Sequence, residues 1–227
     1  VPDGKNHGLV FILDWSGSMS GVLTDTLKQL YNLIWFCRKV SIPFEVYAFT
    51  NEWNRSVRDY ASGRIDAVDC KPLYEAKEYI FRVDDGFTLM NLFTSKVNAQ
   101  TLDHQLLNIW RVANAFYNRY GSYYSYPHKL CLSGTPLNET LLSLHKIIPQ
   151  FQKENKLQKV QCIILTDGEA AQLPYHKEVM RHWEDEPYLG CRNVNPSSCF
   201  FRDRKVGKTY KIGYGYPEFT DMLVQNL

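Results

Sequence analysis

The chain has 227 residues, of which 44% are hydrophobic and 14% aromatic, a composition that supports one large folded domain and excludes a disordered chain. The formal net charge of +2 gives no strong field for steering nucleic acid or anionic lipid, so neither is expected as a partner. No apolar run approaches the roughly 20 residues of a membrane span, and the polar start Val1–Gly4 does not resemble a signal peptide. Six cysteines are few for a disulfide scaffold of this length, which favours a cytoplasmic location.

The first part of the chain alternates strand and helix patterns. The apolar run Leu9–Leu13 predicts a buried strand. Apolar residues then recur every three or four places between Gly21 and Lys39, which predicts an amphipathic helix. Phe44–Phe49 predicts a second buried strand, with Pro43 ending what precedes it. Because strand, helix and strand follow one another closely, we expect a βαβ unit and a parallel sheet.

The middle of the chain is less regular. Residues 50–95 are interpreted as inserted loops that include a third strand at Tyr79–Val83 and a turn at Asp84–Gly86. Helical spacing resumes from Lys96 to Tyr120. The tyrosine-rich run Tyr120–Tyr126 predicts a loop, and a stacking surface for bases is the alternative that the lack of flanking positive charge disfavours.

The last part of the chain returns to strand and helix patterns and then becomes irregular. Leu137–Phe151 predicts a helix, and the short apolar run Val160–Leu165 predicts a strand of parallel character. Residues 172–200 are interpreted as a second insertion, Phe201–Ile212 as a hairpin turning at Val206–Gly207, and Phe219–Leu227 as the start of a helix. Since an α/β sheet usually continues after such a helix, we expect the natural chain to extend beyond Leu227.

Hydroxyl and carboxylate side chains stand at three points of this pattern. Asp14, Ser16 and Ser18 follow the first strand at alternate positions. Thr135 lies in a tight turn before a helix, and Asp167 follows the strand Val160–Leu165. Open α/β sheets bind ligands at the carboxyl ends of their strands, and oxygen donors suit a hard divalent cation. The sequence therefore predicts a magnesium site at this edge.

These three pieces resemble the motif of the von Willebrand factor A (VWA) family, which is Asp-x-Ser-x-Ser, then a Thr in a loop, then an Asp in a Thr-Asp-Gly turn. The resemblance covers about residues 8–170 and implies a Rossmann-like α/β fold with a mostly parallel central sheet, flanking helices and inserted loops. It implies a single domain over residues 1–227, and the wide gap between Ser18 and Thr135 implies the insertions. The residues that match the family's metal-ion-dependent adhesion site one by one are Asp14, Ser16, Ser18, Thr135 and Asp167.

The same resemblance implies Mg2+ as the cofactor, with Mn2+ or Ca2+ as alternatives. The hydroxyls would bind the ion directly, whereas Asp14 and Asp167 would act largely through water. An ion with so few directly bound carboxylates stays electrophilic, so a Glu or Asp carboxylate of a partner protein is the expected ligand.

Within the family, the segments Asp14–Met19 and Gly134–Leu137 look closest to intracellular members. These are similar to the VWA subunits of cobalt and magnesium chelatases (CobT-type and BchD-type), including versions in bacterial and phage genomes. Such subunits work beside a MoxR- or CobS-like AAA+ ATPase. The resemblance therefore implies a cytoplasmic, non-catalytic adaptor, or a subunit of an ATP-dependent chelatase complex. An extracellular adhesion domain is the alternative within the family.

Ordinary structural roles and other chemistry are weighed against this interpretation. Asp14 and Ser16 could be a helix cap and turn, Thr135 a helix cap, and Asp167 with Gly168 an ordinary turn after a strand. That all three hold together is disfavoured. A phosphatase of the haloacid-dehalogenase type would use Asp14 as a nucleophile, yet Ser16 stands where a second acid is usual, and a late acidic pair has no counterpart beyond Asp167 and Glu169. A zinc site is disfavoured because the spacing of its candidate ligands fits no tight Cys-x-x-Cys pattern: His176, His182, Cys191 and Cys199. Cys191 and Cys199 could instead pair as a disulfide in an oxidising compartment.

Overall fold

The computed structural model is a mixed α/β protein with a central four-stranded sheet flanked by helices, an architecture compatible with a Rossmann-like fold. It describes residues 7–51, 76–84, 86–117, 127–180, 183 and 185–227. These residues form two compact units. The sheet unit contains residues 7–51, 88–117, 127–135 and 143–168, and the C-terminal unit contains the described residues of 76–87, 136–142 and 169–227.

The central sheet has the strand order β3-β2-β1-β4. Its strands are β1 (His7–Asp14), β2 (Phe44–Asn51), β3 (Phe87–Thr94) and β4 (Lys159–Leu165). β1 pairs in parallel with both β2 and β4, as expected for a βαβ unit. β3 runs antiparallel to β2. The residue after the end of β3, Ser95, donates a 2.9 Å backbone hydrogen bond to Phe44 at the beginning of β2. The carboxyl ends of β1, β2 and β4 thus share one edge of the sheet.

Helices cover both faces of the sheet. They are α1 (Leu23–Lys39), α2 (Ala99–Tyr117) and α3 (Leu137–Glu154), with short 3-10 turns at Ser18–Gly21 and His128–Leu130. On one face, buried residues of β1 and β2 such as Leu13 and Val46 pack with the apolar stripes of α1 and α2. On the other face, a Cβ at Gly8 would collide with Phe151 of α3 and with Leu157. No helix in the described part of the chain has the length and hydropathy needed to cross a bilayer.

The strongly periodic segments form the elements that the sequence predicts. The strands predicted at Leu9–Leu13, Phe44–Phe49 and Val160–Leu165 are confirmed, as are the helices predicted from Gly21, Lys96 and Leu137, with shifts of a few residues at their ends. The predicted loop Tyr120–Tyr126 and most of the insertion at residues 50–95 lie outside the described residues.

The third predicted strand is wrong. Tyr79–Val83 forms only an isolated antiparallel bridge between Phe81 and Tyr175, and the third strand of the sheet is β3. Tyr79, the first residue of the segment, has a φ of 61° and is not extended, and among the described residues the segment makes its long-range backbone hydrogen bonds with residues 174–176 and not with the central sheet. The turn predicted next is confirmed, since the Asp84 side chain accepts a 2.7 Å hydrogen bond from the Gly86 backbone N–H.

The C-terminal unit is built from two small antiparallel pairs and a helix. β5 (Tyr175–Val179) pairs with β6 (Tyr188–Arg192), β7 (Phe200–Arg202) pairs with β8 (Thr209–Lys211), and α4 spans Tyr216–Asn226. The predicted hairpin is confirmed, and Gly207 in its turn has a φ of 71°, which glycine adopts readily. The ring of Phe81 stacks on Phe201 at 5.6 Å and meets the edge of buried Phe219 at 5.7 Å, which forms an aromatic core.

Glu139, in the first turn of α3, makes the stability of the C-terminal unit depend on pH. Burial, and secondly the Asp84 carboxylate, raise the pKa of Glu139 from 4.5 to about 7. The unfolded chain loses this proton near pH 4.5, whereas the folded chain keeps it to about pH 7. The stability that the protonated Glu139 carboxyl contributes is therefore fully present below pH 4.5 and is lost as the pH rises through 7.

Replacing Glu139 with glutamine should remove this dependence. We expect the variant to match the wild type near pH 4.5 and to exceed its free energy of unfolding at pH 8 by up to about 3 kcal/mol, the equivalent of the pKa difference. Urea denaturation at both pH values measures the difference. Glu178→Gln, an exposed substitution on β5, is the matched control and should follow the wild-type profile. Parallel pH profiles for the wild type and Glu139→Gln would contradict the prediction.

Candidate metal centre

The five predicted ligands all belong to the sheet unit and approach the carboxyl edge of the sheet from three directions. β1 ends at Asp14, and the chain then passes through Ser16 into the 3-10 turn that begins at Ser18. β4 ends at Leu165, which pairs with Leu13 of β1. This pairing brings the residues that follow β4 to the end of β1.

Hydrogen bonds connect the residues that follow β1 with those that follow β4. The hydroxyls of Ser16 and Ser18 are 2.9 Å apart, and Ser18 Oγ donates to Asp167 Oδ1 at 2.9 Å. Thr166 Oγ1 donates to Asp14 Oδ2 at 2.6 Å. Ser16, Ser18 and Asp167 therefore form one hydrogen-bonded set and Asp14 and Thr166 another, and the two sets adjoin because Thr166 and Asp167 are consecutive residues.

The turn that contains Thr135 is held against both of the other pieces. The Gly17 backbone N–H donates to the Ser133 carbonyl at 2.7 Å, and Ser16 and Ser133 form a parallel bridge. On the β4 side, a Cβ built on Gly168 would lie 3.9 Å from Thr135 Oγ1. The structure thus places the turn that contains Thr135 beside the two segments that carry the other four predicted ligands.

The site is buried on one side and open on the other. Asp14 is 0% exposed and Ser16 is 1% exposed, whereas Ser18 and Asp167 are exposed. Solvent therefore reaches the site on the side where Ser18 and Asp167 lie. This asymmetry leaves one accessible face for a second molecule.

The Asp14 carboxylate is only partly compensated inside the protein. Its Oδ2 accepts the hydrogen bond from Thr166, but its buried Oδ1 has no hydrogen-bond partner among the described residues. Burial raises the pKa of Asp14, and the neighbouring Asp167 carboxylate raises it further, while hydrogen bonds from Thr166 and Ser16 oppose the rise. An unpaired buried oxygen costs about 1–3 kcal/mol, so this edge favours a positive charge.

The donor set fits a hard divalent cation. It consists of the two carboxylates of Asp14 and Asp167 and the hydroxyls of Ser16, Ser18 and Thr135, all of them oxygen donors of the kind that Mg2+ prefers. Within the described residues, no three His, Cys, Asp or Glu side chains form a group that could hold a metal. The candidate centre is not such a group, because most of its donors are hydroxyls.

Two polar residues at this edge were not assigned a role from the sequence. Thr166 fixes one oxygen of Asp14, and Asn51, the last residue of β2, forms an antiparallel bridge with Gly134 beside Thr135. Their signal in the sequence was their position, since each stands at the end of a strand whose carboxyl end was expected at the site. A polar residue at the carboxyl end of a parallel strand is therefore a candidate for the site even when the family motif does not include it.

The alternative zinc residues do not form a metal cluster in the described part of the chain. His176 and Cys191 face each other across β5 and β6, with Nδ1 and Sγ 3.8 Å apart. Arg82 Nη1 approaches the same Sγ at 3.7 Å, which places a positive charge where a cation would bind. Cys191 and Cys199 are both free thiols, and His182 lies outside the described residues.

No protein-family model matches the sequence, and no curated protein or solved structure is significantly similar to it. A function for the chain is therefore inferred from its residues and from the geometry of the carboxyl edge. The hydrogen bonds from Thr166 to Asp14 and from Ser18 to Asp167 are the most informative feature of that geometry, because they join segments from distant parts of the sequence.

Proposed function

We propose that the chain is a VWA-type domain that binds Mg2+, with Mn2+ or Ca2+ as alternatives, and docks a carboxylate of a partner protein on the ion. The observation that supports this most is the convergence of Asp14, Ser16, Ser18, Thr135 and Asp167 at one edge of a mostly parallel sheet. The family motif names the same residues in the same order.

The chemistry of the donors explains why the partner would present a carboxylate. When bound, the ion would supply an electrophilic contact, because three of its five protein donors are neutral hydroxyls that leave its charge largely uncancelled. The buried residues Asp14 and Ser16 would hold the ion on the side that faces the protein interior. The exposed residues Ser18 and Asp167 would border the face from which the partner's Glu or Asp arrives.

The partner that the motif favours is a MoxR- or CobS-like AAA+ ATPase, with the chain acting as a non-catalytic adaptor or as a CobT-like subunit of a metal chelatase. This part of the proposal depends on the likeness of Asp14–Met19 and Gly134–Leu137 to the intracellular VWA subunits. A cytoplasmic location is proposed from the same likeness.

Titration calorimetry with MgCl2 and MnCl2 tests the ion site on protein stripped with EDTA. We expect one ion per chain, and Ser18→Ala should weaken its binding at least tenfold because a direct donor is lost. Ser20→Ala is the matched control, since Ser20 lies in the same 3-10 turn but is not a predicted donor. Absence of ion uptake by the wild type, or equal losses in both variants, would refute the site.

A peptide array tests the docking function separately. Peptides that contain Glu or Asp should bind in Mg2+ and not in EDTA, and their Gln or Asn counterparts should bind in neither condition. Binding that is equal in EDTA and Mg2+ would exclude metal-dependent docking even if the ion itself binds. Co-purification with an AAA+ ATPase, dependent on Mg2+ and on Ser18, is the expected result for the adaptor role.

A further inference from the structure

Asn51 packs directly against the turn that contains Thr135. Its backbone bridges Gly134 at the end of β2. A Cβ built on Gly134 would lie 3.2 Å from Asn51 Nδ2 and 3.3 Å from Asn51 Cβ, which is tighter than ordinary packing allows. The absence of a side chain at Gly134 therefore lets the Asn51 amide lie against the backbone next to Thr135.

The register of the sheet places Asn51 on the same face as the predicted ligands of β1. Asp14 pairs with Phe49, and side chains alternate along a strand, so the position two residues beyond Phe49 shares a face with Asp14. Beyond that pair the two chains separate, because Ser16 bridges Ser133 and Asn51 bridges Gly134. Asn51 and Ser16 thus contact neighbouring residues of the segment that leads into Thr135.

Asn51 and Asp14 also share an unusual property. The Oδ1 atoms of both side chains are buried and have no hydrogen-bond partner among the described residues. Buried polar atoms in native proteins almost always have a partner, either protein, ordered water or an ion. These two oxygens lie on one face of the sheet, near the ends of neighbouring strands, where an ion and its water molecules would supply the missing partners.

We propose that Asn51 is a sixth residue of the ion site, with its amide positioning the Thr135 turn and its Oδ1 accepting a hydrogen bond from a water molecule held by the ion. This inference rests on the proposed function. An amide oxygen suits the role because it is a strong acceptor and carries no charge that would weaken the attraction of the ion for a partner's carboxylate.

Two substitutions at Asn51 should change ion affinity in opposite directions. Asn51→Leu keeps the approximate volume but removes the acceptor, so the Kd for Mg2+ should rise about tenfold, while the melting temperature in EDTA should not fall because an unpaired buried oxygen is gone. Asn51→Asp adds a negative charge, so it should tighten Mg2+ binding several-fold and lower the melting temperature in EDTA. Calorimetry with Mg2+ and Mn2+ and thermal denaturation with and without EDTA give these values.

Gly134→Ala and Asn155→Leu complete the experiment. Gly134→Ala should reproduce the affinity loss of Asn51→Leu, because its methyl group would displace the amide without removing any donor. Asn155→Leu is the matched control, since Asn155 Nδ2 donates to the Phe151 carbonyl in the same unit, at the end of α3. Its Kd should equal that of the wild type.

The outcomes separate this inference from the proposed function. Wild-type uptake of Mg2+ with an unchanged Kd in Asn51→Leu would refute the role of Asn51 and leave the ion site standing. A fall in the melting temperature of Asn51→Leu in EDTA that accounts for its weaker binding would likewise overturn the role, because it would show a structural function only. A wild-type chain that takes up neither Mg2+ nor Mn2+ would refute both.

Discussion

Replacing Asp14 with asparagine should abolish Mg2+ binding while leaving the metal-free protein at least as stable as the wild type. Asp14 is 0% exposed, its Oδ1 has no hydrogen-bond partner among the described residues, and the Asp167 carboxylate lies close enough to raise its pKa. Asparagine has nearly the same shape and can still accept the hydrogen bond from Thr166. We expect the Kd for Mg2+ to rise more than a hundredfold and the free energy of unfolding in EDTA to rise by about 1–2 kcal/mol.

Paired measurements in EDTA and in excess Mg2+ test this expectation. The wild type should gain melting temperature from Mg2+ by mass action, and Asp14→Asn should gain none. Asp25→Asn, on the exposed surface of α1, removes a carboxylate that pairs with Lys28 at 2.7 Å and should leave the Mg2+ response intact. If Asp14→Asn instead destabilised the metal-free protein strongly, Asp14 would be a structural turn residue and not an ion ligand.

Local patterns were sufficient for the elements that bury a continuous apolar stripe. Leu9–Leu13 and Val160–Leu165 are short apolar runs bounded by polar residues. The two runs belong to β1 and β4, which pair with each other in parallel. The helices α1 and α3 repeat their apolar residues at helical spacing, so tertiary packing agreed with the local preference. These elements were predicted because one buried face is enough to specify each of them.

β3 could not be predicted in the same way because it is an edge strand of mixed character. It carries Asn91 and Thr94, which donate hydrogen bonds to the buried Glu45 carboxylate at 2.7 and 2.9 Å. That polar pairing with β2 stabilises the strand, yet it has no counterpart in the local alternation of apolar and polar residues. The nearby run Tyr79–Val83 has the stronger local strand composition, but Tyr79 is not extended and Phe81 bridges Tyr175 outside the central sheet.

In the candidate metal centre too, a local motif predicts some residues, whereas others depend on how the strands pair. A motif names Asp14, Ser16 and Ser18 because they are close in sequence and follow a recognisable strand. Asn51 and the Thr166–Asp14 hydrogen bond depend on which strands are neighbours and on their register, and neither is visible before the sheet is assembled. Residues that orient ligands across strands are therefore the ones that a sequence motif leaves out.

Replacing Trp15 with alanine should cause the largest loss of stability, because Trp15 anchors the ligand segment between Asp14 and Ser16. Its side chain is 0% exposed, its Nε1 donates to the Leu130 carbonyl at 2.9 Å, and its ring meets the edge of Phe116 at 6.2 Å. Truncation of a buried tryptophan costs roughly 3–5 kcal/mol, a large part of the total stability of an ordinary domain. The affinity for Mg2+ should also fall, since the backbone between two predicted ligands loses its anchor.

Trp15→Phe separates packing from the hydrogen bond. Phenylalanine keeps an aromatic ring against Phe116 but leaves the Leu130 carbonyl without its donor, so a smaller loss of about 1–3 kcal/mol is expected. Urea denaturation of both variants measures these losses, with Trp35→Ala as the control, because Trp35 on α1 is 62% exposed and should change stability by less than about 1 kcal/mol. If Trp15→Ala cost no more than Trp35→Ala, the ligand segment would not be anchored through this ring, and the geometry of the centre would need another support.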